Sequence, residues 1–282
     1  MMNRNRIKKL FIGIVFLCSV LGMQAQKAHH NIKWGFSTGY ERYFGATNKP
    51  AQVREYESAY DNYYECGLIL DDQSIGAFHA GVQAEYFLCD NRIGISSGLR
   101  FSQTSAELKS NEKFFFWKIG EENLTTDYLR IKKISEQNYW LGIPVELRFF
   151  PNKRELPVQH YFKLCYSYNI LIGSHNRISF QNSEMDKYAS DVQEQLAQPS
   201  SAYSYLYPAC GMKIGRFKNS QQRSPWINVE FHFPGVLFAK NVSSFLNPYT
   251  KSGLGLGLGL QLTIQFPLGT SVPIGHKQLS IN

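Results

Sequence analysis

The feature that most constrains this chain is a strict two-residue alternation between apolar and small or polar residues. The stretch GLGLGLGLQLTIQF, Gly253 to Phe266, places Leu, Ile or Phe at every second position, with Gly, Gln or Thr between them. Successive side chains of a β-strand point to opposite faces, so this period predicts strands with one apolar face and one small or polar face.

The same period recurs in further segments that begin near Ile32, Phe78, Ile93, Tyr139, Phe162, Leu206 and Ile227. Each segment is close to the ten or so residues that a tilted strand needs to cross a bilayer. The connections alternate in length: they are long at 42–76, 107–138 and 176–204, short at 89–92, 151–158 and 217–224, and intermediate at 235–252. This alternation is typical of a meander with long loops at one end and tight turns at the other.

The predicted fold is therefore an all-β, eight-stranded antiparallel up-and-down transmembrane barrel with long extracellular loops. Lipid cannot satisfy a bare strand edge, so the barrel must close, and we expect Lys33–Tyr40 to pair with the last strand. Pro144 and Pro234 lack a ladder donor and are expected at bulges or strand ends.

The polar face decides between a membrane barrel and a soluble, lipocalin-like barrel with the same period. It is rich in Gly, which suits a narrow, filled lumen and weakens a water-facing strand. It also carries nearly balanced charge, as a closed interior requires. The predicted lumen residues are Lys33, Glu41, Glu85, Arg100, Glu146, Arg148, Lys163, Lys213, Glu230 and His232. We expect Glu85, Arg100, Glu146 and Arg148 to form an ion-pair network that closes the lumen to ions.

The N-terminus predicts export. Four basic residues precede the apolar run Leu10–Met23, and Ala25 ends a plausible cleavage site, so residues 1–25 are expected to be a signal peptide. Residues 26–269 then form the barrel in a bacterial outer membrane, and 270–282 form a periplasmic tail. The four basic residues of the predicted signal peptide account for half of the formal charge of +8. The rest of the sequence therefore gives no case for nucleic-acid binding.

Two long loops carry recognisable signals. Met185, Tyr188, Val192 and Leu196 have helical spacing after Asn182 and Ser183, which predicts a helix over Glu184–Leu196 that ends before Pro199. The second signal is the aromatic run Phe114, Phe115, Phe116 and Trp117. It is a candidate contact patch, although the favoured interpretation is that strands extend beyond the membrane and these rings pack on each other.

Two segments resemble the PorT-like outer-membrane barrel proteins of Bacteroidetes. NYWLGIPVELRFF, with Ile143–Phe149, is similar to their fourth strand, and GVQAEYFLCDNRIGISSGLRF to their strand-turn-strand unit. The resemblance spans residues 31 to 269 and implies an outer-membrane location and eight strands. The family's named member is associated with protein export through the type IX system. One departure is that residues follow Phe266, where such barrels often end on a terminal aromatic.

Signals for catalysis or metal binding are weak. His29 and His30 are adjacent at the mature terminus, and the Gly-Leu run is not followed by a phosphate-binding helix. His79 and His232 fit lumen filler better than catalysis. Cys66, Cys89, Cys165 and Cys210 have no metal spacing, and we expect no disulfide among them.

We therefore expect no catalytic residue, no metal and no cofactor. The predicted function is a monomeric, non-enzymatic scaffold in the outer membrane, in contact with lipid and with envelope or secretion proteins through its extracellular loops. The alternatives are a narrow pore or small-ligand carrier, and a barrel enzyme such as a lipid hydrolase.

Overall fold

The architecture is taken from a computed structural model, which describes residues 32–44, 46–47, 50, 52–54, 74–89, 92–109, 114–122, 125–151, 157–215, 225–238, 242–244, 246–247 and 256–267. The predicted signal peptide, His29, His30, Cys66 and the predicted periplasmic tail lie outside the described residues. Among the described residues, no helix is long and apolar enough to cross a membrane.

Eight long strands form the body of the protein. They are β1 (Ile32–Phe44), β2 (Ser74–Leu88), β3 (Ile93–Lys109), β4 (Thr125–Phe149), β5 (Val158–Phe180), β6 (Ala202–Ile214), β7 (Trp226–His232) and β8 (Leu256–Pro267). Each strand pairs antiparallel with its sequence neighbours, and β8 pairs with β1 from Lys33↔Pro267 to Phe44↔Leu256. The predicted eight-stranded antiparallel up-and-down barrel and its closing pair are thus confirmed.

The alternation seen in the sequence becomes the inside and outside of the barrel. Along β4, Leu141, Ile143, Val145, Leu147 and Phe149 are exposed on the outer face, whereas Gly142, Pro144, Glu146 and Arg148 are buried in the lumen. The other strands divide in the same way. Glycines make room for large lumen side chains, since a Cβ on Gly211 would lie 2.6 Å from the Tyr161 ring.

The barrel wall extends further beyond the apolar band on one side, at β3, β4 and β5, than on the other. β3, β4 and β5 continue well beyond the apolar part of their outer faces. The strand Phe115–Glu122 pairs with the first residues of β4, from Thr125 to Ile131. Val53–Arg54 adds a short strand to Phe115–Glu122. Residues 107–138, which we expected to be a loop, are therefore largely sheet. Strand Val236–Phe238 continues the pairing with β6 after β7, and Ala46–Thr47 pairs with Leu246–Asn247.

The predicted loop helix is confirmed between β5 and β6. A 3₁₀ turn, Ser183–Tyr188, leads into α1, Ala189–Gln195. The Asn182 side chain caps the turn, because its Oδ1 accepts a hydrogen bond of 3.2 Å from the Glu184 amide. The helix is held on the high wall by the Trp117 indole, which donates to Gln195 Oε1 at 2.8 Å.

Pro144 corrects one prediction. It lies inside β4 and pairs with Ser167 without a change of register, so placing it at a bulge or strand end is wrong. On its other side the β3–β4 ladder is interrupted between Ser97↔Val145 and Arg100↔Gly142, because proline has no amide to donate. Ser97 Oγ donates to the Pro144 carbonyl at 2.9 Å and bridges that gap. Pro234, in contrast, follows the end of β7 as predicted.

Candidate functional site: a filled lumen and a high extracellular wall

The end of the lumen with the short turns is closed by aromatic rings. Phe87, Phe150 and Tyr161 pack together, with ring centroids of Phe150 and Tyr161 5.2 Å apart. Two ammonium groups lie on these rings, with Lys213 Nζ 4.3 Å and Lys33 Nζ 4.7 Å from the centroid of Phe87. Such contacts stabilise a cation where water is scarce.

The middle of the lumen is an ion-pair network centred on Arg148. Its guanidinium lies 3.2 Å from Glu85, 2.6 Å from Glu146 and 3.0 Å from Glu230. All four side chains are fully buried. One cation cannot balance three carboxylates, so the remaining positive charge must come from other strands.

Lysines from the neighbouring strands supply that charge. Lys163 Nζ pairs with Glu146 at 3.3 Å and also with Glu230, while Lys213 lies 3.8 Å from Glu85. Arg100 reaches Glu146 at 3.4 Å from the opposite direction. The network thus joins strands on every side of the lumen, and each carboxylate has at least two cationic neighbours. Buried charges persist only with such compensation.

A second polar layer lies above this network, toward the long loops. Glu41 Oε1 is 2.8 Å from His232 Nδ1 and 4.0 Å from His79 Nδ1, and Tyr43 donates to Glu41. The two imidazoles are parallel, with centroids 6.3 Å apart. Gln261 Oε1 accepts from Arg100 at 3.2 Å and is 3.2 Å from His79 Nε2. This layer is therefore linked to the network below through Arg100 and through His232, whose Nε2 lies 3.6 Å from Glu230.

A third polar element was missed by the sequence analysis. Glu136 on β4 is buried and accepts hydrogen bonds from Ser243 Oγ, from the Ser244 amide at 2.8 Å and from Ser244 Oγ at 3.0 Å. Asn138 donates to the Val242 carbonyl at 3.1 Å. Residues 242–244, from the connection between β7 and β8, are thus tied across the mouth of the barrel. Continuation of the alternation from Trp140 through Asn138 to Glu136 could have signalled this inward carboxylate.

The mouth above Glu136 is filled by an apolar core. Its large members include Leu108, Phe115, Trp117, Ile131, Ile134 and Val192. This corrects the candidate contact patch, because Phe115 and Trp117 are buried and only Phe114 and Phe116 remain partly exposed. The rings of Phe114 and Phe116 are 5.3 Å apart, and Arg130 lies 5.2 Å from Phe114. Alternation again explains the split, since neighbouring strand residues face opposite sides.

All ten predicted lumen charges lie on the inward face, at three levels of the lumen. Lys33 is only half-buried at the short-turn end, and Glu41 and His232 belong to the upper layer. The other side chains make the central network. The principal additions from the structure are Tyr161, which donates to Glu230 at 2.6 Å, and Tyr207, which accepts from Arg100 at 3.3 Å.

The histidines of the lumen have little contact with solvent. His79, His232 and Cys165 are almost fully buried, while Cys89 is exposed and Cys210 half-buried. Within the described ranges, no group of three or more His, Cys, Asp or Glu is arranged to hold a metal ion. The polar groups in the lumen mainly satisfy one another.

The outer face has the opposite character. From Phe149 to Tyr139 on β4 the outward residues are apolar, and at about 3.3 Å per residue with a tilt of about 40° this stretch rises ~25 Å. Trp34 and Phe266 stack 5.1 Å apart at its lower edge, and Phe101 and Tyr139 lie 6.1 Å apart at its upper edge. A closed barrel with an apolar band and aromatic edges spans the outer membrane.

No protein-family model matches the chain, and no curated protein has a significantly similar sequence. Several solved structures share an overall likeness with this chain, and three of them illustrate it. They are the outer membrane protein OprG of Pseudomonas aeruginosa (TM-score 0.35, 9% identity, 86% of this chain and 95% of that chain), Ail, the attachment invasion locus protein of Yersinia pestis, in complex with the heparin analogue sucrose octasulfate (0.31, 11%, 84% and 98%), and the outer membrane protease OmpT of Escherichia coli (0.31, 9%, 85% and 96%). These values are low, and the fold rests on the strand pairing itself.

Proposed function

We propose that this protein is a non-enzymatic, non-conducting outer-membrane scaffold that presents its high extracellular wall to a protein partner. The observation that carries the proposal is the filled lumen. The lumen is filled from the short-turn end to the long-loop end. It contains, in that order, the aromatic rings, the Arg148 network, the Glu41 layer and the apolar mouth. A barrel of this kind has its accessible features on the outside.

The helix between β5 and β6 is the part of the wall best suited to recognition. Val192 and Leu196 anchor it in the core, while Glu184, Asp186, Asp191 and Glu194 are exposed. The exposed face is therefore acidic, with Lys187 as its basic member. A rigid, anchored helix loses little freedom on binding, and its charge favours a partner with a basic surface.

The resemblance to PorT-like barrels supports a place in a protein-export or envelope-assembly complex. The scaffold role also fits the histidines. A hydrolase would need His79 or His232 within reach of a substrate, and both are enclosed among Glu41, Arg100 and Gln261. A pore or ligand carrier would need free volume along the axis, where the Arg148 network lies.

Two measurements test this proposal. In planar bilayers, the purified full-length protein is expected to give no stable single-channel currents. In native membranes, a photo-crosslinking residue at exposed Glu194 is expected to trap one discrete protein partner. The matched control is exposed His160, on the outer face at the short-turn end.

Large, stable currents would overturn the scaffold in favour of a pore. An identical crosslinking pattern from Glu194 and His160 would overturn the assignment of the acidic helix as the contact surface. Hydrolysis of lipid by the purified protein, lost on His232→Ala, would instead favour the enzyme.

A further inference from the structure

The apolar band contains a groove on β1, β2 and β3. Its volume is about 550 Å³. Thr38 and Ala80, which face each other across the β1–β2 ladder, make a low floor. Phe36, Phe101, Leu141, Leu262 and Ile264 form its higher sides. Because the groove opens on the lipid-facing surface and is lined almost entirely by carbon, hydrocarbon fits it and water does not.

A basic surface lies on the outer face of β3, β4 and β5, beyond the apolar band. We call it the basic ledge and define it as Lys109, Arg130, Lys132, Lys133 and Arg177. Lys109 and Lys133 are directly opposite each other in the β3–β4 ladder. Directly opposed like charges destabilise a strand pair unless an anion lies near them. Glu107 supplies one such anion, with its carboxylate 2.9 Å from Lys133.

The ledge also contains three further cations. Arg130, Lys132 and Arg177 are exposed on the same side of the wall. Arg130 lies against the Phe114 and Phe116 rings, at 5.2 and 5.9 Å, so its guanidinium is held in place while remaining accessible. Ordered guanidinium groups are well suited to phosphate and carboxylate oxygens.

The tilt of the strands places the ledge above the groove. Paired residues can be followed from Asn228 on β7 through Thr263, Ser37, Gly81, Arg100, Gly142 and Asn169 to Tyr203 on β6. The next residue on β6, Ser204, pairs with Phe238. Phe238 lies nearer the long-loop end of the barrel than Asn228, where the path began. The ladder therefore climbs toward that end in passing from β1 to β5. A line up the membrane normal from the groove on β1–β3 leads to β3–β5.

We propose that the groove and the basic ledge together form one binding site for an anionic lipid of the outer leaflet. An acyl chain occupies the groove between Phe36 and Phe101, and the phosphate or carboxylate groups of the headgroup lie on the ledge, nearest Arg177 and Lys133. Each half alone is a general property of membrane surfaces. Their alignment on the same strands selects a lipid that has both a chain and a negative headgroup. The site is independent of the helix proposed above as a protein contact.

The experiment measures lipid binding by native mass spectrometry on the purified full-length barrel, with bisphosphorylated lipid A as the probe. Dephosphorylated lipid A tests the headgroup, and glucosamine phosphate without acyl chains tests the groove. The ledge variant is Arg130→Gln/Lys132→Gln/Arg177→Gln, with Lys187→Gln on the helix as its control. The groove variant is Ala80→Phe, with Cys210→Phe, another small outward residue on the far wall, as its control.

Removal of each cation near a membrane surface weakens the binding of an anionic group about fivefold, so the ledge variant is expected to bind lipid A ~100-fold more weakly. It should bind dephosphorylated lipid A as the unaltered protein does. Ala80→Phe should weaken both lipids, and the two controls neither. All variants must show the heat-sensitive gel migration of a folded barrel.

Equal affinity of the ledge variant and the Lys187→Gln control for lipid A would overturn the proposal. So would equal affinity of Ala80→Phe and Cys210→Phe, which would leave the groove without a role. Displacement of lipid A by glucosamine phosphate at matching concentration would also overturn it, because a site for headgroups alone needs no acyl chain.

Discussion

The Arg148 guanidinium on β4 lies 3.0 Å from the Glu230 carboxylate on β7, across the lumen. These strands are not neighbours, since β5 and β6 separate them on one side of the ring. The pair therefore forms only when the sheet has curled so that β4 and β7 face each other across the lumen. It fixes opposite walls at a set separation, and it shares Arg148 with Glu85 and Glu146.

Loss of Arg148 is expected to destabilise the barrel strongly. Arg148→Met removes the central cation and leaves three buried carboxylates undercompensated, which should lower the free energy of unfolding by about 3–5 kcal/mol. Urea unfolding in lipid vesicles measures this. Lys133→Met, which breaks the exposed pair with Glu107, should cost less than about 1 kcal/mol. Equal stability of the two variants would contradict the central role of Arg148.

Gly211 is expected to be required for lumen packing. A Cβ at this position would lie 2.6 Å from Tyr161 Cζ, whereas one at Gly173 would lie 3.7 Å from Tyr139, an ordinary contact. Gly211→Ala should therefore destabilise the protein by about 1–3 kcal/mol, and Gly173→Ala by no more than about 0.5 kcal/mol. The same urea titration compares them. A Gly173→Ala variant as unstable as Gly211→Ala would show that backbone effects, rather than the Tyr161 contact, dominate.

Glu136 is expected to hold residues 242–244 in the mouth of the barrel. Glu136→Gln removes the charge that accepts from Ser243 and Ser244 and replaces an acceptor with a donor, at a local cost of about 1–3 kcal/mol. Hydrogen exchange at the Ser244 amide should accelerate roughly 10- to 100-fold. Glu107→Gln, on the exposed face, is the control. Unchanged hydrogen exchange at the Ser244 amide in Glu136→Gln would show that Glu136 does not hold residues 242–244.

The depth of the membrane can be read from two arginine substitutions. Leu260 is 61% exposed on the outer face of β8, within the apolar band, and Leu260→Arg should cost about 2–4 kcal/mol. Ser105, on the outer face of β3 beyond the band, should tolerate Ser105→Arg at about 0–1 kcal/mol. Stability in lipid vesicles is the measurement. Equal costs would mean that the band does not coincide with hydrocarbon.

The inside and outside of the strands were predictable because a period of two residues leaves only one choice of face. Glu146 and Arg148 had to point the same way, and Leu147 the other way. The partners within the lumen were not predictable to the same degree. Which cation meets Glu230 depends on ring closure and on the stagger between strands, and neither is visible in any one segment.

Two predictions failed, each for its own physical reason. The sequence pattern predicts a strand that begins at Tyr139, because Gln137 and Ser135 interrupt the apolar stripe, yet the inward stripe extends back through Asn138 to Glu136. Above the membrane the outer face meets water, so the contrast between faces fades while the strand continues. At Pro144 the missing amide was expected to shift the register, but the ladder opened locally because pairing on either side holds it.

The pairing of β1 with β8 has a consequence for biogenesis. The earliest and latest parts of the barrel complete each other's backbone hydrogen bonds, so a nascent chain short of Leu256 has two unsatisfied edges in hydrocarbon. Such an intermediate is unstable in the bilayer. Pairing of β1 with β8 must therefore accompany entry of the strands into hydrocarbon.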